Sequence, residues 1–84
     1  MNINYMGLKE KILYEMKRTH RKANDIWQFS NCLAFYNKLE LSGKNNFNNI
    51  MQELCEEDIF IKEECFNGDY NYRLTQKGEN IIYR

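Results

Sequence analysis

Several things are missing from this 84-residue chain, and each absence removes a class of function. No Gly-rich phosphate loop, no nucleophile elbow and no closely spaced His-carboxylate pair occurs, which leaves no recognisable catalytic constellation and predicts a protein that is not an enzyme. Cys32, Cys55 and Cys65 form an odd set with no Cys-x-x-Cys spacing and no secretory leader ahead of them, so the expectation is reduced thiols in the cytoplasm. Their wide spacing from each other and from His20 lacks a paired ligand knuckle; no metal and no cofactor are expected, and the cysteines read as small hydrophobes. The longest apolar runs are a few residues, too short to span a bilayer. Net charge is zero, so any charged partner must be met by a local patch.

What is present is aromatic area. Five Phe, six Tyr and one Trp give large apolar surface to a chain whose size allows roughly 64% of its surface to be buried, enough for one small core and a single domain over 1–84.

Leu8, Ile12, Leu13 and Met16 recur at helical spacing and predict a first helix from Tyr5 to Arg18. A basic cluster, Arg18, Arg21 and Lys22 among it, precedes Asn24 and Asp25, either of which can cap a second helix predicted over Asp25 to Glu40. Its stripe is Ile26, Phe29, Cys32, Leu33, Tyr36 and Leu39, while Trp27 and Ala34 fall on roughly the opposite side at 100° per residue. That second apolar side predicts a dimer or partner interface at Trp27 and Ala34. The alternative is Trp27 folding back on the first helix or a hairpin, with the last helix as a rival interface. Ser42 or Asn45 can cap a third helix with Phe47, Ile50, Met51 and Leu54 inside, ending near Asp58.

The period then changes to two. Strands are predicted over Ile59 to Phe66 and Tyr70 to Leu74, joined by Asn67-Gly68, the pair that suits a type I′ turn. A two-residue turn sets Cys65 against Tyr70 and Ile61 against Leu74, with the apolar sets on one side, and is preferred to a three-residue turn, which would align Tyr70, Tyr72 and Leu74 with Lys62 and Glu64. A last short helix is expected over Gln76 to Tyr83.

The stretches "NNIMQELCEEDIFIKEE" and "NGDYNYRLTQKGENII" resemble the winged helix-turn-helix domains of small bacterial transcriptional regulators of the MarR and PadR types. The resemblance implies an α+β fold of three helices, a two-stranded β-hairpin wing and a short C-terminal helix. It implies a bacterial transcriptional regulator, or given the small size one of a phage, that binds duplex DNA as a homodimer with helix 3 in the major groove. The residues add candidates. Asn45, Asn48, Asn49 and Gln52 lie opposite Phe47, Ile50 and Leu54, and such amides can pair bidentately with adenine; the alternative is an ordinary solvated helix face. Phosphate candidates are Arg18, Arg21, Lys22, Lys44 and Arg73, the basic cluster serving alternatively as a charged cap on the first helix. Glu63, Glu64 and Asp69 stand where a DNA-binding wing carries basic residues, which keeps a second function class open: a winged-helix module that binds a protein partner and no DNA.

Overall fold

The amphipathic pattern of Leu8, Ile12, Leu13 and Met16 becomes α1, Leu8–Arg18, in a computed structural model that describes residues 7–65 and 67–84. Tyr5 and Met6, expected in the first helix, and Phe66, expected to end a strand, lie outside the described residues. Six further elements follow: β1 (Ile26–Trp27), α2 (Phe29–Asn37), α3 (Leu41–Glu56), β2 (Phe60–Glu64), β3 (Tyr70–Leu74) and α4 (Gln76–Ile82). The architecture among the described residues is α+β, four helices with a three-stranded antiparallel sheet in the order β1-β3-β2.

Two helix ends turn on non-glycine residues in the left-handed conformation. His20 (φ 58°) follows α1, where Arg21 N–H donates to Met16 O at 2.9 Å and His20 N–H to Lys17 O at 3.1 Å. Asp58 (φ 61°) follows α3, where Ile59 N–H donates to Leu54 O at 2.9 Å and Asp58 N–H to Cys55 O at 3.1 Å. Both are Schellman ends, which satisfy carbonyls the helix leaves open. Asp58 thus fills a position that ordinarily favours Gly.

The second helix starts later than its periodicity predicts. Asp25 caps nothing: its side chain accepts from Lys22 N–H at 2.7 Å, and its backbone carbonyl accepts from Leu74 N–H at 2.9 Å. Ile26 and Trp27 pair instead with Arg73 and Tyr72 of β3, and the helix begins at Phe29, whose N–H donates to the Asn71 side chain. Trp27 is therefore corrected from interface to core. It is 2% exposed, meets Phe35 edge-on at 5.5 Å between centroids and stacks on Phe60 at 6.3 Å. Ala34 is exposed, as are Phe29 and Leu33 of the expected inner stripe.

The hairpin register also departs from expectation. Phe60 faces Leu74, Lys62 faces Tyr72 and Glu64 faces Tyr70, one residue displaced from the two-residue turn. Cys65 N–H donates to Asp69 O at 2.6 Å, so three residues separate that pair, and of Asn67 and Gly68 only Gly68 has positive φ (87°). A type I′ turn needs two such residues; one left-handed Gly closing a three-residue loop is the common alternative. Burial decides the register. Phe60 is 1% exposed beside Trp27 and Tyr72, whereas Ile61, which the shorter turn would have set opposite Leu74, is 51% exposed.

The buried residues form one cluster: Ile12 and Met16 from α1, Trp27, Cys32, the α3 face of Phe47, Met51 and Leu54, then Ile59, Phe60, Tyr72, Leu74 and Ile82. The "LTQKG" junction fixes α4 against it. Thr75 Oγ1 accepts from Gly78 N–H at 2.9 Å, capping the helix, and donates toward Ile59 O and Asp58 O. Gly78 is required by proximity: a Cβ there would stand 2.6 Å from Ile59 O and 2.7 Å from Leu74 Cδ1. Gly78→Ala is expected to destabilise the fold by about 1–3 kcal/mol through overpacking against backbone, and Trp27→Ala by about 3–5 kcal/mol through the cavity left. Urea midpoints measured by circular dichroism test both, and an unchanged midpoint for either would contradict this packing.

Candidate nucleic-acid interface

Helix α3 has one face in the core and one in solvent. Phe47, Met51 and Leu54 are buried, and Asn45, Asn48, Asn49 and Gln52 are all exposed, so the sequence-predicted amide stripe is present as a continuous surface. Gln52 Nε2 donates to Glu56 Oε1 at 3.2 Å, which ties the last amide of the stripe to an acidic neighbour. The helix starts at Leu41, with Glu40 at the cap position and no side-chain cap bond, so neither Ser42 nor Asn45 caps it and Asn45 sits a full turn inside. Asn46 instead donates back to Ser42 O at 2.8 Å.

Beside the stripe, α3 and the hairpin enclose a groove of about 370 Å³ lined by Asn48, Gln52, Met51, Cys55, Lys62, Tyr70 and Tyr72. Lys62 Nζ lies 3.8 Å from the Tyr70 ring centroid, a cation–π contact on the groove wall. Sequence reasoning missed Lys62 and Tyr70 because the two-residue turn displaced them; the signal was the cross-strand register, which follows once Phe60 is put in the core. Burial raises the Tyr72 hydroxyl to about 12, with Cys32 and Cys55 adding to the shift. It raises the Cys32 thiol to about 11 and moves Cys55 upward as well, against the opposing charge of Lys62. All three groups are neutral near pH 7, so the charge in the groove is that of Lys62.

The predicted phosphate contacts do not gather around this face. Helix α2 separates them: its Phe29, Leu33 and Tyr36 line a recess with Phe47 and Asn48, while its Asn31, Ala34 and Lys38 line another with Arg18 and Arg21. Arg18 is bound to Glu15 at 2.8 Å. Arg21 donates through Nη1 to Ile26 O at 2.8 Å, holding the loop after α1 to β1, and its Nε is buried without a partner. Lys22 Nζ sits 4.4 Å from the Tyr83 ring centroid by α4. Arg73 alternates with the core-facing Tyr72 and Leu74 and reaches both oxygens of Glu63 at 3.0 Å. Only Lys44, 6.0 Å above the Tyr36 ring, belongs to α3 itself.

No group of three or more His, Cys, Asp or Glu among the described residues is placed to hold a metal ion, and the cysteines there are free thiols. No helix among the described residues is long and apolar enough to cross a membrane. No protein-family model matches the chain, and no curated protein or solved structure matches it either.

The buried acids give a pH test. Cys32 rises from its ordinary 9.0 and Tyr72 from 10.0, so over this interval the folded state keeps protons that the unfolded chain has lost. Their contribution is complete below about pH 9 and declines as pH rises through the folded values. Chemical denaturation between about pH 8 and 12 should show falling stability, and Tyr72→Phe should flatten the decline above about pH 10. Identical profiles for wild type and variant would show that Tyr72 ionises as it does in solvent.

Proposed function

We propose that this chain is a small winged-helix DNA-binding protein, a transcriptional regulator working in the reducing cytoplasm that binds duplex DNA as a homodimer with α3 in the major groove. The observation that carries the reading is the exposed, uninterrupted amide face of α3. Asn45, Asn49 and Gln52 can each present a donor and an acceptor to adenine, and Asn48 faces the groove shared with the hairpin. The helix-strand-helix-helix-hairpin order supports it, since it leaves α3 and the hairpin side by side, as a winged helix requires. Lys44 and Lys62 flank the stripe and serve as its phosphate contacts. Lys22 would reach DNA only at the edge, and Arg18, Arg21 and Arg73 act within the fold. Two phosphate contacts imply a shallow salt dependence, a log-log slope of roughly −2 per chain, and modest affinity that a dimer would multiply.

A second reading has its own observation. From Glu63 to Asn71 the chain carries three carboxylates and no cation, and the nearest arginine, Arg73, is occupied by Glu63. A hairpin of that charge suits a protein partner better than phosphate. Titration against an AT-rich duplex at about 50 and 200 mM salt separates the two readings: salt-weakened binding supports the first, and no binding at either salt supports the second.

Asn45→Ala with Asn49→Ala should leave the fold intact and lower discrimination for adenine-containing sites by about 1–3 kcal/mol per lost bidentate pair. A competition assay that finds the same sequence preference in the folded double variant would remove α3 as the reading element.

A further inference from the structure

The side of the molecule across α2 from the amide stripe carries a trough between α1 and α2. Two cavities, of about 390 and 270 Å³, share Glu15, Arg18, Phe35 and Lys38 and so form one continuous depression. Its apolar lining includes Tyr14, 41% exposed, with Phe35 and Leu39 half-buried. Its charged lining is Lys11, Arg18, Arg21 and Lys38 against Glu15 and Glu40. The Arg18–Glu15 pair neutralises itself, which leaves three cations facing one carboxylate. Ala34, expected from the sequence at an interface, lies in the wall of this trough.

The chain has no net charge, so a basic trough implies an acidic excess elsewhere. It lies in two places: at the end of α3, where Lys9 pairs with two of Glu53, Glu56, Glu57 and Asp58, and at the hairpin end, which alone of the two also carries exposed apolar side chains, Ile61 and Tyr70. Glu63 is paired with Arg73, which leaves Glu64 and Asp69 as the open carboxylates there, and Ile61, half exposed, leads into that end along β2. One molecule therefore bears a basic trough with an aromatic lining and an acidic projection with an exposed aliphatic side chain.

We propose that the acidic hairpin end of one copy docks into the α1–α2 trough of a second copy, and that the reciprocal contact closes a two-fold dimer. The proposal rests on the dimer in the reading above and supplies its interface. Charge complementarity selects the second copy as the occupant, because both halves of the contact are present on every chain and an exchange of the two closes without leaving either exposed. The contact lies across α2 from Asn45 and Asn49, so α3 stays open. Arg21 adds to the field while keeping its internal bond; Lys11 and Lys38 make no ion pair among the described residues and are the trough's cations free to meet the incoming carboxylates.

Charge reversal tests the contact without DNA. A trough variant (Lys11→Glu, Lys38→Glu) and a hairpin variant (Glu64→Lys, Asp69→Lys) should each sediment as a folded monomer, with circular dichroism confirming the fold. Mixed in equal amounts they should associate again, because each then offers the other a matched trough and a matched hairpin. All four changes in one chain should restore self-association, and raising salt from about 50 to 500 mM should weaken the wild-type dimer. A wild type that is monomeric at roughly 1 mM, the weak end of specific association, overturns both the dimer and the docking. A wild-type dimer that survives either reversal, or variants that do not associate on mixing, overturns the docking alone and leaves the dimer standing.

Discussion

The fold depends on the backbone of Leu74. Its carbonyl accepts from Asn24 N–H at 2.7 Å and its amide donates to Asp25 O at 2.9 Å, which places β1 on one side of β3; its Cα partner on the other side is Phe60 of β2. The next residue, Thr75, donates its amide to Ile59 O at 3.0 Å and caps α4 with its hydroxyl. Two consecutive residues thus tie two segments distant in sequence, the one leading into β1 and the one leading into β2, to β3 and α4. Neighbouring bonds reinforce the join: Glu79 accepts from Ala23 N–H, which holds its carboxyl below the usual range, and Tyr83 donates its hydroxyl to Arg21 O. With strand pairing of only two residues, β1 would be marginal alone; these side-chain bonds and the burial of Trp27 hold it in place.

Several of the charged side chains bond within the molecule, at its surface. Lys9 bridges α1 to Glu53 and Glu57 of α3, Arg21 spans a loop, and Arg73 pairs across the hairpin. Each such bond is worth little where solvent screens it, but each removes a cation from the set available to an outside partner. Arg18, Arg21 and Arg73 are held in this way, which leaves mostly lysines among the cations open to solvent. Of the cations in no ion pair among the described residues, Lys44 and Lys62 lie beside α3 and Lys11 and Lys38 in the trough, with α2 between the two pairs.

How much of this was legible in the sequence follows from distance along the chain. Helices α1, α3 and α4 could be read because their apolar periodicity or capping signal is local, and the amide face followed from Phe47 and Leu54 pointing inward. β1 could not, since two residues are fewer than any periodicity can report and Ile26 fits a helical stripe as well as a strand. The hairpin register failed on one comparison: Ile61 and Phe60 are both apolar, and only contact with Trp27 makes Phe60 the inward residue. At the candidate site the outward placement of the amides and of Lys44 could be read from the sequence, whereas the internal bonds of Arg21 and Arg73 could not, because their partners are a backbone carbonyl and a cross-strand carboxylate that only the folded chain brings near.

The pairing of β1 with β3 has a consequence for how the protein is made. During synthesis α1, α2 and α3 emerge with their local contacts available, but the partner of Ile26 and Trp27 lies far downstream. Until Leu74 has left the ribosome, the indole of Trp27 has neither Tyr72 nor the β3 backbone to cover it, and the sheet cannot assemble around its central strand. Formation of the core therefore waits for β3, a delay set by topology through the loop that must close first. In the nascent three-helix segment Trp27 has Phe35 of α2 beside it but neither Phe60 nor the sheet that completes its burial.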